Sequence, residues 1–224
     1  MNYGDIIHLI AFIVLPLLFA ITLHEVAHGW VASKLGDKTA LKIGRVTFNP
    51  MKHIDPLGTL ILPILMLILS KFTFAFGWAK PVPVTWHNFK KPRRDIALVA
   101  FAGPFANLLM ALLWAAIAKV SLTWGSGVEK LILRNITSFF YNAGIFGILI
   151  NVILMILNLI PLPPLDGSRI VSVIFPPKVV YNYSKIDSYG IWILLSLLLF
   201  GLLNRILVTP VIYLSQLIRS FFGL

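Results

Sequence analysis

Apolar positions in this chain come in blocks too long and continuous to be the buried face of a soluble helix. They run Ile6–Val31, Leu57–Ser70, Ile96–Ala118, Ala143–Leu159 and Ile191–Leu203, with Ile206–Leu224 as a weaker sixth. The first holds about 25 residues, enough to cross a bilayer at about 1.5 Å per residue. Pro63 breaks the second block early, and Phe72-Thr73-Phe74-Ala75-Phe76 alternates as a strand does. The pattern predicts an all-α polytopic membrane protein of about five to six transmembrane or re-entrant segments. Lys42–Thr47 and Ala79–Val84 favour extended backbone, with prolines blunting one edge, so a small membrane-associated β element is expected as well. No stretch between the blocks could hold a further globular unit, and residues 1–224 are expected to form one domain. Trp30, Trp78, Trp86, Trp114 and Trp124 read as an interfacial belt.

Composition sharpens this. The chain is 58% hydrophobic and 12% charged, with a mean hydropathy of +0.90; soluble domains carry about a quarter charged residues. The net charge of +11 invites a nucleic-acid reading, but its placement excludes one. Lys34, Lys38, Lys42, Arg45 and Lys52 follow the first block, and Lys80, Lys90, Lys91, Arg93 and Arg94 precede the third. Arg169, Lys178 and Lys185 lie between the fourth and fifth. Basic residues in short loops mark the cytoplasmic face. All three clusters share that face if Leu57–Trp78 is a re-entrant hairpin that enters and returns. The bilayer is then a partner, nucleic acid is not, and nothing in the pattern speaks to oligomeric state. The first block starts after Asp5 instead of a basic segment and is not expected to be a cleaved signal.

Chemistry enters with His24-Glu25-Val26-Ala27-His28, an H-E-x-x-H motif inside the first apolar block. Two His four residues apart on a helix share one face and can grip one Zn²⁺, with the Glu beside them as general base. An ionisable triplet in hydrocarbon is costly unless it has a task and a partner. His28 precedes Lys34 by about 9 Å of helix, so the metal would lie shallowly below the cytoplasmic surface. Cysteine is absent, which leaves His and carboxylates as ligands. A third ligand is needed. Among 8 acidic residues, Asp5 and Glu129 belong to the outer side. Asp37, Asp55, Asp95 and Asp187 lie in basic loops, where solvated pairing explains them. Asp166 differs: it follows the Pro-rich turn Ile160-Pro161-Leu162-Pro163-Pro164-Leu165, which bends the backbone and aims a carboxylate toward the bundle. The competing reading makes Asp166 the N-cap of a helix over 167–174.

Asn107 and Asn158 could donate to a developing oxyanion or hold substrate backbone; the alternative is hydrogen bonding between helices, which suits Asn151 better. Gly103-Pro104 permits close backbone approach. His53 and His87 read as interfacial rather than ligating.

His24–His28, Ala102-Gly103-Pro104-Phe105-Ala106-Asn107 and Asn158-x-x-Pro161-x-x-Pro164-Leu165-Asp166-Gly167, in this order, resemble the site-2 proteases, intramembrane zinc metalloproteases. Residues 44–58 and 77–84 resemble the compact prokaryotic branch, without PDZ or CBS modules. The resemblance implies His24, His28 and Asp166 as zinc ligands and Glu25 as the base that activates the attacking water. It implies a multi-pass cell-membrane endopeptidase that cleaves transmembrane segments of other proteins, with its active site near the cytoplasmic side. The rival is a non-catalytic zinc-binding transport or scaffold protein. A transporter would show inverted repeats, which are not evident, and a structural metal site would not need Glu25.

Overall fold

A computed structural model describes residues 3–69, 77–125, 127 and 130–224. Helix α1 runs Tyr3–Leu35 and is followed by a single turn, α2 (Thr39–Lys42). A π-type turn at Pro56–Ile61 leads into α3 (Leu62–Leu69). The long helices α4 (Pro92–Gly125) and α5 (Leu131–Leu159) come next. The short α6 (Asp166–Val171) and α7 (Pro177–Ser184) precede α8 (Gly190–Leu199) and α9 (Leu202–Phe222).

The core is the α4–α5 pair, with α1 and α9 each packed against both. Small residues set its closeness. Ala111, Ala115 and Ala118 on α4 are fully buried, as is Ala143 on α5. At Gly144 a Cβ would come within 2.7 Å of the Ala118 Cβ, and at Gly147 there is no room for one beneath the Trp114 ring. Apolar side chains gain nothing by leaving lipid for one another, so such tight backbone contact is how helices associate in a membrane. Trp114 is therefore not part of the expected interfacial belt: it is 4% exposed. Trp30 and Trp124 are exposed.

Among the described residues, three helices are long and apolar enough to cross a bilayer: Ile10–Leu35, Pro92–Gly125 and Leu131–Leu159. The α8–α9 pair makes a fourth if counted as one span, broken by an 80° bend. The described residues thus give three to four membrane-capable helices, and the expected five to six transmembrane or re-entrant segments are not confirmed. The last two blocks form the bent α8–α9 pair, the break falling at Gly201, whose φ of +69° suits only a residue without a side chain. The second block yields only the short apolar helix Pro56–Ile68. The Trp78 N–H donates to Gly58 O at 3.1 Å, and Thr59 Oγ1 donates to Trp78 O at 2.8 Å. The chain thus returns beside its point of departure, as the hairpin reading requires; Phe72–Phe76 lies outside the described residues.

No strand occurs among the described residues. Lys42 ends α2, and residues 43–47 run through turns and bends with no strand. Residues 77–85 are extended but form no ladder: Pro81 and Pro83 have no N–H, and the donors between them are spent inward. Lys80 N–H goes to His53 O (2.9 Å), Val82 N–H to Glu25 Oε2 (2.8 Å) and Thr85 N–H to Asp37 Oδ2 (2.7 Å).

Asp37, expected in a solvated pair, is instead fully buried. Its Oδ1 also accepts from Thr39 N–H (3.1 Å), Thr39 Oγ1 (2.5 Å) and Asn88 Nδ2 (2.8 Å). Burial alone would raise its pKa, but these donors outweigh it and hold the carboxyl below its ordinary 3.8. A depressed folded-state pKa stabilises the fold above the unfolded-state value, and that stability is lost as pH falls through the folded-state value. Acid unfolding of the wild type is therefore expected to steepen below a pH of about 3.8, and Asp37→Asn is expected to flatten this part of the curve. Thermal melts of both proteins across that window check it.

Candidate metal centre

His24 and His28 lie one turn apart on α1, so the helix alone brings their rings together, 4.6 Å between centroids. Asp166 arrives from a distant part of the chain, after α5. The Pro-rich turn ends α5 at Leu159, and Gly167 then packs against the Leu159 and Ile160 carbonyls so closely that a Cβ has no room. Asp166 is the first residue of α6, whose N-cap is Leu165. The capping role weighed for Asp166 is thus not the one its side chain performs.

The three side chains converge on one point. His24 Nε2 and His28 Nε2 are 3.0 Å apart, and Asp166 Oδ2 lies 3.2 and 3.3 Å from them. Neighbouring ligand atoms of a tetrahedral site with bonds of about 2.0 Å stand roughly 3.3 Å apart, so the spacing suits zinc. Tautomers make the same point independently. His28 Nδ1 faces Val99 O at 2.7 Å and must donate, because a carbonyl only accepts. His24 Nδ1 faces Asn107 Oδ1 at 2.6 Å. The orientation of that amide is fixed, since Asn107 Nδ2 donates to Ala20 O (3.3 Å) and to Asn151 Oδ1 (3.0 Å). Asn151 Nδ2 in turn donates to Gly147 O (2.8 Å). With both Nδ1 atoms protonated in neutral rings, both Nε2 atoms present lone pairs. They face a carboxylate oxygen that is buried without a hydrogen-bond partner. Three buried acceptors aimed at one point fit a cation and little else. Among the described residues, this His-His-Asp group alone has metal-holding spacing.

Gly103 on α4 forms one wall: a Cβ there would lie 2.5 Å from His28 Nε2 and 2.6 Å from His24 Nε2. Close approach of α4, expected from Gly103-Pro104, thus serves the centre directly. Glu25 is half-buried and accepts from Val82 N–H, so the extended run 77–85 passes over the base. His24 and His28 are 8% and 9% exposed, which keeps the ligands nearly dry.

The asparagines divide. Asn107 is 0% exposed and sits behind His24 with both ends of its amide engaged. Asn158 is half-buried in the last turn of α5, its Nδ2 donating to Leu154 O (2.9 Å). His53, expected at an interface, is 1% exposed and bonds Thr47 O through Nε2 (3.0 Å), outside the metal group. Sequence reasoning missed the Asn107–Asn151 link and the Val82–Glu25 contact. The only linear signals for them were an Asn in the middle of an apolar helix and a Pro-x-Pro run.

Residues 12–200 match peptidase family M50, a span that contains all of these residues. The chain is 40% identical over 189 residues to "Putative zinc metalloprotease YwhC" of Bacillus subtilis (strain 168), covering 84% of this chain and 80% of that one. It is 28% identical over 188 residues to "Putative zinc metalloprotease Rip2" of Mycolicibacterium smegmatis (strain ATCC 700084 / mc(2)155), covering 84% of this chain and 66% of that one. The protein of the same name from Mycobacterium tuberculosis (strain ATCC 25618 / H37Rv) is 26% identical, with the same coverage. No solved structure matches the chain.

Proposed function

The chain belongs to peptidase family M50, and from that membership we propose that it is a zinc endopeptidase cutting within the transmembrane segments of other membrane proteins. It is a metalloprotease, its metal is zinc, and its long apolar helices make it a membrane protein. The observation that carries the finer reading is where the acceptors converge. Two Nε2 atoms and Asp166 Oδ2 meet beside Glu25, on a helix apolar enough to cross the bilayer.

His24, His28 and Asp166 hold the zinc, which supplies Lewis acidity to polarise a scissile carbonyl. Glu25 takes the proton of the attacking water and returns it to the leaving amine nitrogen. Asn107 holds His24 from behind, and Asn158, near the Pro-rich turn, engages substrate backbone. A helical substrate hides its carbonyls in its own hydrogen bonds, so it must open locally before cleavage. Residues 1–224 act as one domain, with the site near the cytoplasmic face. What supports that side is the shared position of the basic loops and the return of Trp78 to Gly58.

Glu25→Gln is expected to keep zinc while cleavage falls by about 10²–10⁴-fold, the usual contribution of a general base. Membranes from cells carrying either protein are compared for peptides that end inside transmembrane segments. Such ends should depend on Glu25, with equal zinc in both proteins. Ends confined to soluble loops, or unchanged by Glu25→Gln, would overturn the reading.

The topology has its own test. The chain has no Cys, so single cysteines at Lys38, Lys90, Lys178 and Lys130 report cleanly. The first three should label from the cytoplasmic side and the last from outside. Labelling of position 90 from outside alone would make Leu57–Trp78 a full crossing.

A further inference from the structure

We infer that Asn151, on α5, is a positioning residue for the metal centre, acting on His24 through the amide of Asn107. The inference rests on the reading of His24 as a zinc ligand.

An imidazole ligates through Nε2 only if Nδ1 carries the proton or accepts nothing that would move it. Here Nδ1–H of His24 is bonded to Asn107 Oδ1 at 2.6 Å. An amide, however, has two unlike ends. Turned over, Asn107 would present its NH₂ to His24 Nδ1, the proton would sit on Nε2, and the ring could not bind metal. Something must decide the orientation, and Asn107 cannot do so alone.

Asn151 supplies the decision. Its Nδ2 is committed to Gly147 O, a backbone carbonyl that only accepts, so its Oδ1 must face Asn107. An acceptor there requires the Asn107 NH₂, leaving Oδ1 for His24. Ala20 O, at the longer distance of 3.3 Å, is a weaker second vote. The chain Gly147–Asn151–Asn107–His24 crosses α5, α4 and α1, and both asparagines are 0% exposed, so bulk water does not compete for these bonds. Gly147 lies too close to the Trp114 ring for a side chain, which fixes the carbonyl from which the sequence of orientations starts. An ordinary interhelical hydrogen bond would also hold α4 to α5, but it would not make zinc binding depend on which end of Asn107 faces His24.

That difference gives the test. Zinc dissociation constants are measured by chelator competition on the purified full chain, for wild type, Asn151→Leu, Asn107→Asp and the double variant. Asn151→Leu should weaken zinc by roughly 10–100-fold, the range for loss of an outer partner of a metal-bound His. A carboxylate at 107 accepts through either oxygen and cannot be turned the wrong way. In the Asn107→Asp background, Asn151→Leu should therefore change affinity by no more than about 3-fold, well under the 10-fold expected for an outer partner. Nitrogen-15 spectra of the zinc-free protein should show His24 protonated at Nδ1 in the wild type and mixed tautomers in Asn151→Leu. Equal losses in both backgrounds would mean simple helix packing and overturn the inference, as would an unchanged affinity in Asn151→Leu. If Asn151→Leu does not fold, Asn151→Ser is read by the same criteria, its shorter hydroxyl being unable to span to Asn107. Failure of the underlying ligand reading would look different, since His24→Ala would then retain zinc.

Discussion

Asp166→Ala is expected to lose zinc and activity together. It removes the only carboxylate of the group and leaves two imidazoles, one ligand short of a catalytic site. Loss of an outer partner alone costs roughly 10–100-fold in affinity, so loss of a direct ligand should exceed about 100-fold. The fold should survive, because the side chain is not the cap of α6 and its Oδ2 makes no hydrogen bond. Metal analysis alongside a helicity measurement decides the matter. Stoichiometric zinc with full cleavage in Asp166→Ala would remove the residue from the ligand set.

Gly103→Ala should have an effect of similar size through one methyl group. An added Cβ would stand 2.5 Å from His24 Cε1 and from His28 Nε2. The obstruction cannot relax cheaply. Both rings are held from behind, by Asn107 and by the Val99 carbonyl, and Gly103 belongs to a helix packed along α1 and α5. Either the rings turn off their shared point or α4 backs away from α1. In both cases the lone pairs no longer converge, and zinc should be lost. Gly127, with nothing within 4 Å of an added Cβ, is the control: Gly127→Ala should bind zinc as the wild type does. A Gly103→Ala protein with native zinc affinity would show that the wall is softer than the geometry implies.

The parts legible in the sequence were those that local geometry determines. His24 and His28 share a face because a helix repeats every 3.6 residues, whatever the rest of the chain does. Asp166 stood out because the clustered prolines at 161, 163 and 164 forbid helix just before it, whereas single prolines are carried inside α1, α4 and α9. Other parts depended on partners from distant segments. Nothing near Asn151 announces that its amide points at Asn107, and nothing near Asp37 announces four donors from the stretch 39–88. The solvated pairing expected for Asp37 failed for that reason: its charge is neutralised by backbone and amide N–H groups, which leave no mark on charge patterning. The bend at Gly201 and the short helix of the second block were not legible, since apolar runs do not encode bends or returns.

The wide separation of His24 and His28 from Asp166 along the chain bears on when the enzyme can become active. The two imidazoles emerge from the ribosome with the first span, whereas the carboxylate follows only after the two long helices α4 and α5. The outer support for His24 is also assembled late, because its anchors sit on those same two helices. A growing chain therefore carries a metal-binding pair but no finished centre while its neighbours are being inserted around it. With the proposed ligand set, hydrolysis would begin only once Asp166 joins the two imidazoles. Synthesis itself thus acts as a safety catch, and truncated products of premature termination should be inert toward the surrounding membrane.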